Sequence, residues 1–151
     1  MKALLLTGLA VGAMLYAVTQ GADTTAKPND DGEKIQGSWK IESAQDSGRA
    51  APEAEYKYVT IVITADKLTL TAADKVIGEM TYSLDTAKGW IDLKDARRSK
   101  SEHVSLGIYK LEGDDLKICY PEASNDRSTA FESKGDKSPN DVFLVLKREK
   151  T

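Results

Sequence analysis

From residue 35 onward apolar and polar side chains alternate in short stretches, the spacing of strands with one dry face and one wet face. Residues 38–45 set Trp39 and Ile41 on one side and Lys40 and Glu42 on the other. Stretches rich in Val, Ile, Thr, Tyr and Leu follow at 58–64, 68–72, 75–84, 89–94, 103–111 and 116–120. A weaker one, 129–133, carries Phe131, and the last, 142–148, is apolar on both faces for most of its length. Asp, Gly, Lys and Asn separate these stretches, and Ala65-Asp66-Lys67 and Glu112-Gly113-Asp114-Asp115 read as hairpin turns. Two connections exceed hairpin length, 46–57 and 121–140. In the first, Pro52-Glu53-Ala54-Glu55-Tyr56 predicts one helical turn with Pro at its start. No stretch of helical period is long enough for a domain-building helix.

Strands joined by short turns pair antiparallel with their sequence neighbours, and a flat meander of this size would expose two long unpaired edges. Closure removes both. The expected fold is therefore all-β, an antiparallel up-and-down β-barrel of about eight strands over residues 35–150. At that strand number the interior is either filled by side chains or large enough for one small ligand, and the pattern leaves both open.

Ahead of the barrel, Lys2 precedes an ion-free apolar run from Ala3 to Val18, and the first acid is Asp23. One positive charge, an apolar run too short to cross a bilayer and small residues at Thr19 and Gly21 form the pattern of a secretory signal peptide over 1–21. No Cys lies near the end of that run, which excludes a lipidated amino terminus. Residues 22–34 carry no large apolar group and are expected to form a flexible tether. Export to the periplasm or the outside follows, with no stable membrane span after processing.

The chain's 151 residues, 40% hydrophobic and 30% charged, suffice for one domain. A net charge of −3 offers no basic footprint for nucleic acid. One Cys, Cys119, and one His, His103, supply neither a disulfide nor an ordinary zinc site. Phosphate-binding glycine loops, nucleophile elbows and zinc-protease helices are missing as patterns. His103 has no orienting partner in the spacing, Asp114-Asp115 is turn chemistry, and Asn29-Asp30-Asp31-Gly32 lacks the ligand alternation of a calcium loop. The expectation is a monomer that is not an enzyme, with no cofactor, no metal and no catalytic residue.

Three segments carry a resemblance: Gln36-Gly37-Ser38-Trp39-Lys40, the run from Gly107 to Tyr120, and Val142-Phe143-Leu144-Val145-Leu146-Lys147-Arg148-Glu149. Together they resemble a family of uncharacterised secreted lipocalin-like domains abundant in planctomycete bacteria, over residues 33–149. The resemblance implies a small calyx-like barrel. It implies that Trp39 plugs the closed end and that a base late in the last strand, Lys147 or preferably Arg148, lies over the indole. The family commonly shows Arg-Pro and then an aromatic before the last strand. Arg127-Ser128-Thr129-Ala130-Phe131 keeps the Arg and the aromatic but has Ser in place of Pro, which bears on that loop's geometry.

Alternation places Met80, Tyr82 and Leu84 on one face, Tyr109 and Leu111 on one face, and Leu116, Ile118 and Tyr120 on one face. Aliphatic groups with sparse phenols suit a small hydrophobic or amphipathic molecule, so Met80, Tyr82, Tyr109 and Tyr120 are candidate ligand contacts. Arg127 either pins its loop to a carboxylate or faces an anionic ligand at the mouth. Two functions remain: an exported non-enzymatic binding protein, or a cell-envelope interaction or structural module with a filled barrel and an apolar outer patch from Val62, Phe143 and Val145.

Overall fold

The computed structural model describes residues 31–96, 103–122, 125–133 and 141–150. The expected leader at 1–21 and residues 22–30 of the expected tether lie outside the described residues. Helical turns α1 (Asp31–Lys34) and α2 (Glu53–Tyr56) accompany nine strands: β1 (Gly37–Asp46), β2 (Arg49–Ala50), β3 (Val59–Ile63), β4 (Lys67–Ala72), β5 (Lys75–Asp85), β6 (Trp90–Asp95), β7 (Ser105–Glu112), β8 (Asp115–Pro121) and β9 (Asp141–Arg148).

Each strand from β3 to β9 pairs with its sequence neighbour, β1 pairs with β3, and β1 also pairs with β9. Every pairing is antiparallel, so these strands close an eight-stranded up-and-down barrel, with β2 a two-residue extension of β1. Closure rests on a long register from Trp39 opposite Arg148 to Asp46 opposite Val142. Lys40 and Lys147 meet as like charges in that ladder, and each is offset by an acid: Glu149 at 3.3 Å from Lys40, and Asp115 at 2.7 Å from Lys147.

The alternation assigns the faces as the pattern requires. Trp39, Ile61, Ile63, Leu68, Ile91, Leu93, Tyr109, Leu116, Ile118 and Leu146 form the buried core, joined by Ile35 from below. Burying such side chains contributes about 1.5–3 kcal/mol each. The ladder between β1 and β9 shifts between Ile41 and Ser43. This bulge inserts one residue and reverses the facing of the rest of β1, so Ala44 and Asp46 share the inner face with Leu144 and Val142. A second shift sets Ile77 as an extra residue of β5, between Gly78 opposite Leu70 and Val76 opposite Thr71.

Gly37, Ile63, Lys67, Glu112, Asp115 and Arg148 gather at one end, the base. Asp46, Val59, Ala72, Pro121 and Asp141 gather at the other, the open end. Two sequence expectations are corrected. Residues 31–34 are not tether but a helical turn, held by the Ile35 amide on the Asp31 carbonyl at 2.7 Å and by Gln36 Nε2 on the Gly32 carbonyl at 2.9 Å. Residues 129–133 form no strand, because β8 pairs directly with β9 and leaves that segment on the outer wall.

At Gly107 on β7 the neighbouring strand comes so near that a Cβ would sit 2.7 Å from the Cys119 carbonyl oxygen and 3.0 Å from Tyr120 Cβ. Gly107→Ala is expected to cost about 1–3 kcal/mol in urea unfolding, since the obstruction is backbone and overpacking costs of this size are typical. An unchanged midpoint would contradict this reading of the β7–β8 seam.

Candidate functional site

The base is built around Trp39, which is fully buried. Its indole N–H donates to the Ile35 carbonyl at 2.9 Å, and the Arg148 guanidinium lies 4.2 Å over the ring. Arg148 also donates from Nη1 to the Gln36 carbonyl at 2.8 Å and from Nη2 to the Lys34 carbonyl, and its Nε lies 3.4 Å from Asp114. One cation thus caps the carbonyls that end α1 and faces the indole quadrupole. Gly37 makes the approach possible. Its φ of 133° lies in the glycine region, and a Cβ there would sit 2.8 Å from Arg148 Nη1. Alternation explains why Arg148 and not Lys147 holds this place: Lys147 points outward to Asp115.

Two of the four candidate ligand tyrosines and methionines spend their polar group on the base itself. Tyr109, 4% exposed, donates from its hydroxyl to Asp31 at 2.8 Å. Burial first, then that carboxylate, keeps its phenol protonated far above the ordinary range. Tyr82 donates to the Thr64 carbonyl, and burial followed by the Asp66 charge pushes its phenol pKa up. Outside the plug lies a groove of about 680 Å³ bordered by Asp31, Glu33, Gln36, Leu111, Asp114 and Arg148. Of its acids, Asp31 holds Tyr109, and Asp114 meets both Arg148 and Lys150.

The inner face toward the open end differs. Ile41, Leu70, Met80, Tyr120 and Leu144 pack on the core but are only partly buried. They surround a cup floored by fully buried side chains such as Ile61, Ile118 and Leu146. Tyr120 stands near its rim. Desolvation, reinforced by Glu122 and Asp46, drives its phenol far above the ordinary range, so it is a hydrogen-bond donor at any physiological pH. Glu122 is itself raised, first by burial and then by Asp46. The sequence pattern held Met80 and Tyr120 but missed Asp46, because the β1 bulge that turns it inward has no signature in the residues around it.

Of the two roles read for Arg127, the geometry shows the pinning of its loop to a carboxylate. Residues 125–133, between β8 and β9, lie over the outer wall, where Arg127 donates from Nη1 to the Gly107 carbonyl at 2.7 Å and meets Asp92 at 2.8 Å. Its guanidinium lies 4.2 Å over Trp90, which Lys88 also approaches at 4.3 Å. The Ser128 amide donates to the Leu106 carbonyl at 3.0 Å, supplying β7 with a partner where its ladder with β8 stops at Ile108 opposite Cys119. Farther along, Phe131 tilts against Phe143 at 6.3 Å, and Ser133 Oγ donates to the Asp141 carbonyl at 2.6 Å. Trp90 and Asp92 complete this clamp from the outward face of β6, which no spacing in the sequence connects to residue 127.

Cys119 is fully buried under the strap and its Sγ lies 3.6 Å from the Glu132 carbonyl. Burial, the largest influence, pushes the thiol up, so it is a packed, protonated group and not a nucleophile. Val62, Phe143 and Val145, expected as an outer patch, are all partly covered. Among the described residues no cluster of His, Cys, Asp and Glu is arranged to hold a metal ion.

Two outcomes follow from this geometry. Arg148→Met is expected to lower stability by about 1–3 kcal/mol, the sum of a partly desolvated cation–π contact and two carbonyl caps, and Gly37→Ala by a similar amount. Denaturant unfolding checks both. In native protein, Arg127→Met is expected to raise the rate at which iodoacetamide modifies Cys119 roughly tenfold, as local opening of the strap becomes about 1.4 kcal/mol easier. An unchanged rate would mean that the clamp does not guard the thiol. Set against known proteins, the chain matches no protein-family model, no curated protein and no solved structure.

Proposed function

We propose that the chain is an exported, non-enzymatic, lipocalin-like binding protein that holds a small hydrophobic or amphipathic molecule in the open end of its barrel. The observation that carries the reading is the set of inward-facing side chains Ile41, Leu70, Met80, Leu144 and Tyr120 that remain only partly buried above a fully buried floor. Apolar surface that points into a barrel and still meets solvent is surface a ligand would cover with gain. Tyr120 adds one donor at the rim, which orients a molecule with a polar end. The plugged base leaves the open end as the way in. Export rests on the leader pattern of residues 1–21.

Titration with the neutral dye N-phenyl-1-naphthylamine tests this. The expected result is saturable fluorescence enhancement at one site, displaced by decanol. Leu144→Arg, which sets a charge among the cup side chains, is expected to abolish it. Tyr120→Phe is expected to keep the dye and to weaken decanol about threefold to tenfold, the loss of one hydrogen bond. Leu144→Met serves as the volume-conserving control, and circular dichroism verifies folding of each variant. No saturable binding by folded wild-type protein would overturn the proposal.

A further inference from the structure

We propose that the open end docks on the surface of a lipid bilayer through Tyr58, Val76 and Ile77. Among the described residues these are the large apolar side chains that stand exposed, at 71%, 49% and 49%. All three belong to the open-end rim of three adjoining strands. Thr60 lies opposite Thr71, and Thr71 opposite Val76, which puts these three on the outer face in one row. Tyr58 follows two residues along the same face from Thr60, and Ile77 is the extra residue of the β5 bulge. Between Tyr58 and the β4–β5 turn lies a shallow depression of about 510 Å³, bordered by Ala54, Thr60, Thr71 and Ala73.

The occupant follows from what the patch lacks. β3 and β4 are paired on both sides, and β5 is paired with β4 from Lys75 to Thr81, so behind the patch no edge of β3 or β4 is offered to a peptide. Three side chains around a shallow depression fall far short of the roughly 800 Å² per partner that a stable protein interface needs. A bilayer interface requires no matching shape and accepts a tyrosine ring beside aliphatic groups. Lys57, whose Nζ lies 4.7 Å over the Tyr58 ring, lays its apolar stem along the same surface while its charge stays wet, and Lys75 stands on the inner side of the rim opposite Ala72. Glu53, Glu55 and Asp74 offset those charges, so the attraction is apolar and the surface is zwitterionic lipid, not anionic lipid. The tip is preformed: Ala73 and Asp74 both have positive φ, 48° and 62°, the geometry of a tight hairpin turn. Docking this way uses the outer face and does not depend on a ligand in the cup. No helix among the described residues is long and apolar enough to cross a membrane, so the contact is peripheral.

The full chain carries an apolar leader that would adhere to vesicles by itself, so the readout has to be local to the rim. Tyr58→Trp in the full chain, mixed with phosphatidylcholine vesicles whose acyl chains are brominated, reports contact as quenching in excess of that of the wild-type chain, whose Trp39 and Trp90 also emit. The expected result is strong quenching that raised salt leaves unchanged and that Val76→Ser with Ile77→Ser reduces roughly tenfold at fixed lipid. These exposed substitutions leave the core intact, which circular dichroism verifies. Absent quenching, quenching indifferent to the serine pair, dependence on anionic lipid, or quenching replaced by self-association in sedimentation without vesicles would each overturn the proposal.

Discussion

The pairing of the first long strand with the last is the constraint on which the rest of the molecule depends. A meander of β1 and β3 to β9 has two edges, and they meet from Trp39 opposite Arg148 to Asp46 opposite Val142. The clasp at the base secures the end of that seam. Arg148 reaches back from the end of β9 across the indole to the carbonyls that close α1, and Gly37 clears its path. The residues just before the barrel are thereby drawn into its floor, with Ile35 fully buried and Asp31 bonded to Tyr109.

A sealed base makes the two ends chemically unequal. Polar groups of Tyr82 and Tyr109 are consumed in closing one end. At the other, Tyr120 keeps its proton beside Glu122 and Asp46, and apolar side chains facing the axis are left partly uncovered. Residues 125–133, between β8 and β9, are held on the outer wall by Arg127, Asp92 and Trp90. That placement also gives the Leu106 and Gly107 carbonyls of β7 their donors and covers Cys119. The exposed apolar rim at Tyr58, Val76 and Ile77 lies at the same open end.

Much of this was legible in the residues because two-residue alternation is a direct consequence of strand geometry. The inward sets from Trp39 to Ile41, Met80 to Leu84 and Leu116 to Tyr120 stand where counting puts them, and the helical turn after Pro52 forms. Counting failed wherever one residue breaks the period. The bulges at Glu42 and Ile77 reverse facing without any local composition to announce them, so Asp46 at the mouth and the exposed Ile77 went unseen. Composition misjudged residues 31–34, whose order comes from Arg148 and Tyr109, far away in the chain. The strand expected around Phe131 failed for a related reason: β9 occupies the position beside β8, and residues 125–133 lie on the outer wall, where Arg127 meets the carboxylate of Asp92.

Hydrogen exchange at the Trp39 indole N–H tests the clasped, closed barrel most directly. That proton is buried and bonded to the Ile35 carbonyl under the Arg148 guanidinium. It is expected to exchange only through global unfolding, with a free energy equal to that from denaturant titration and equal to that of the Leu146 amide. Exchange at the rate of an exposed indole, in protein that remains folded, would contradict the account.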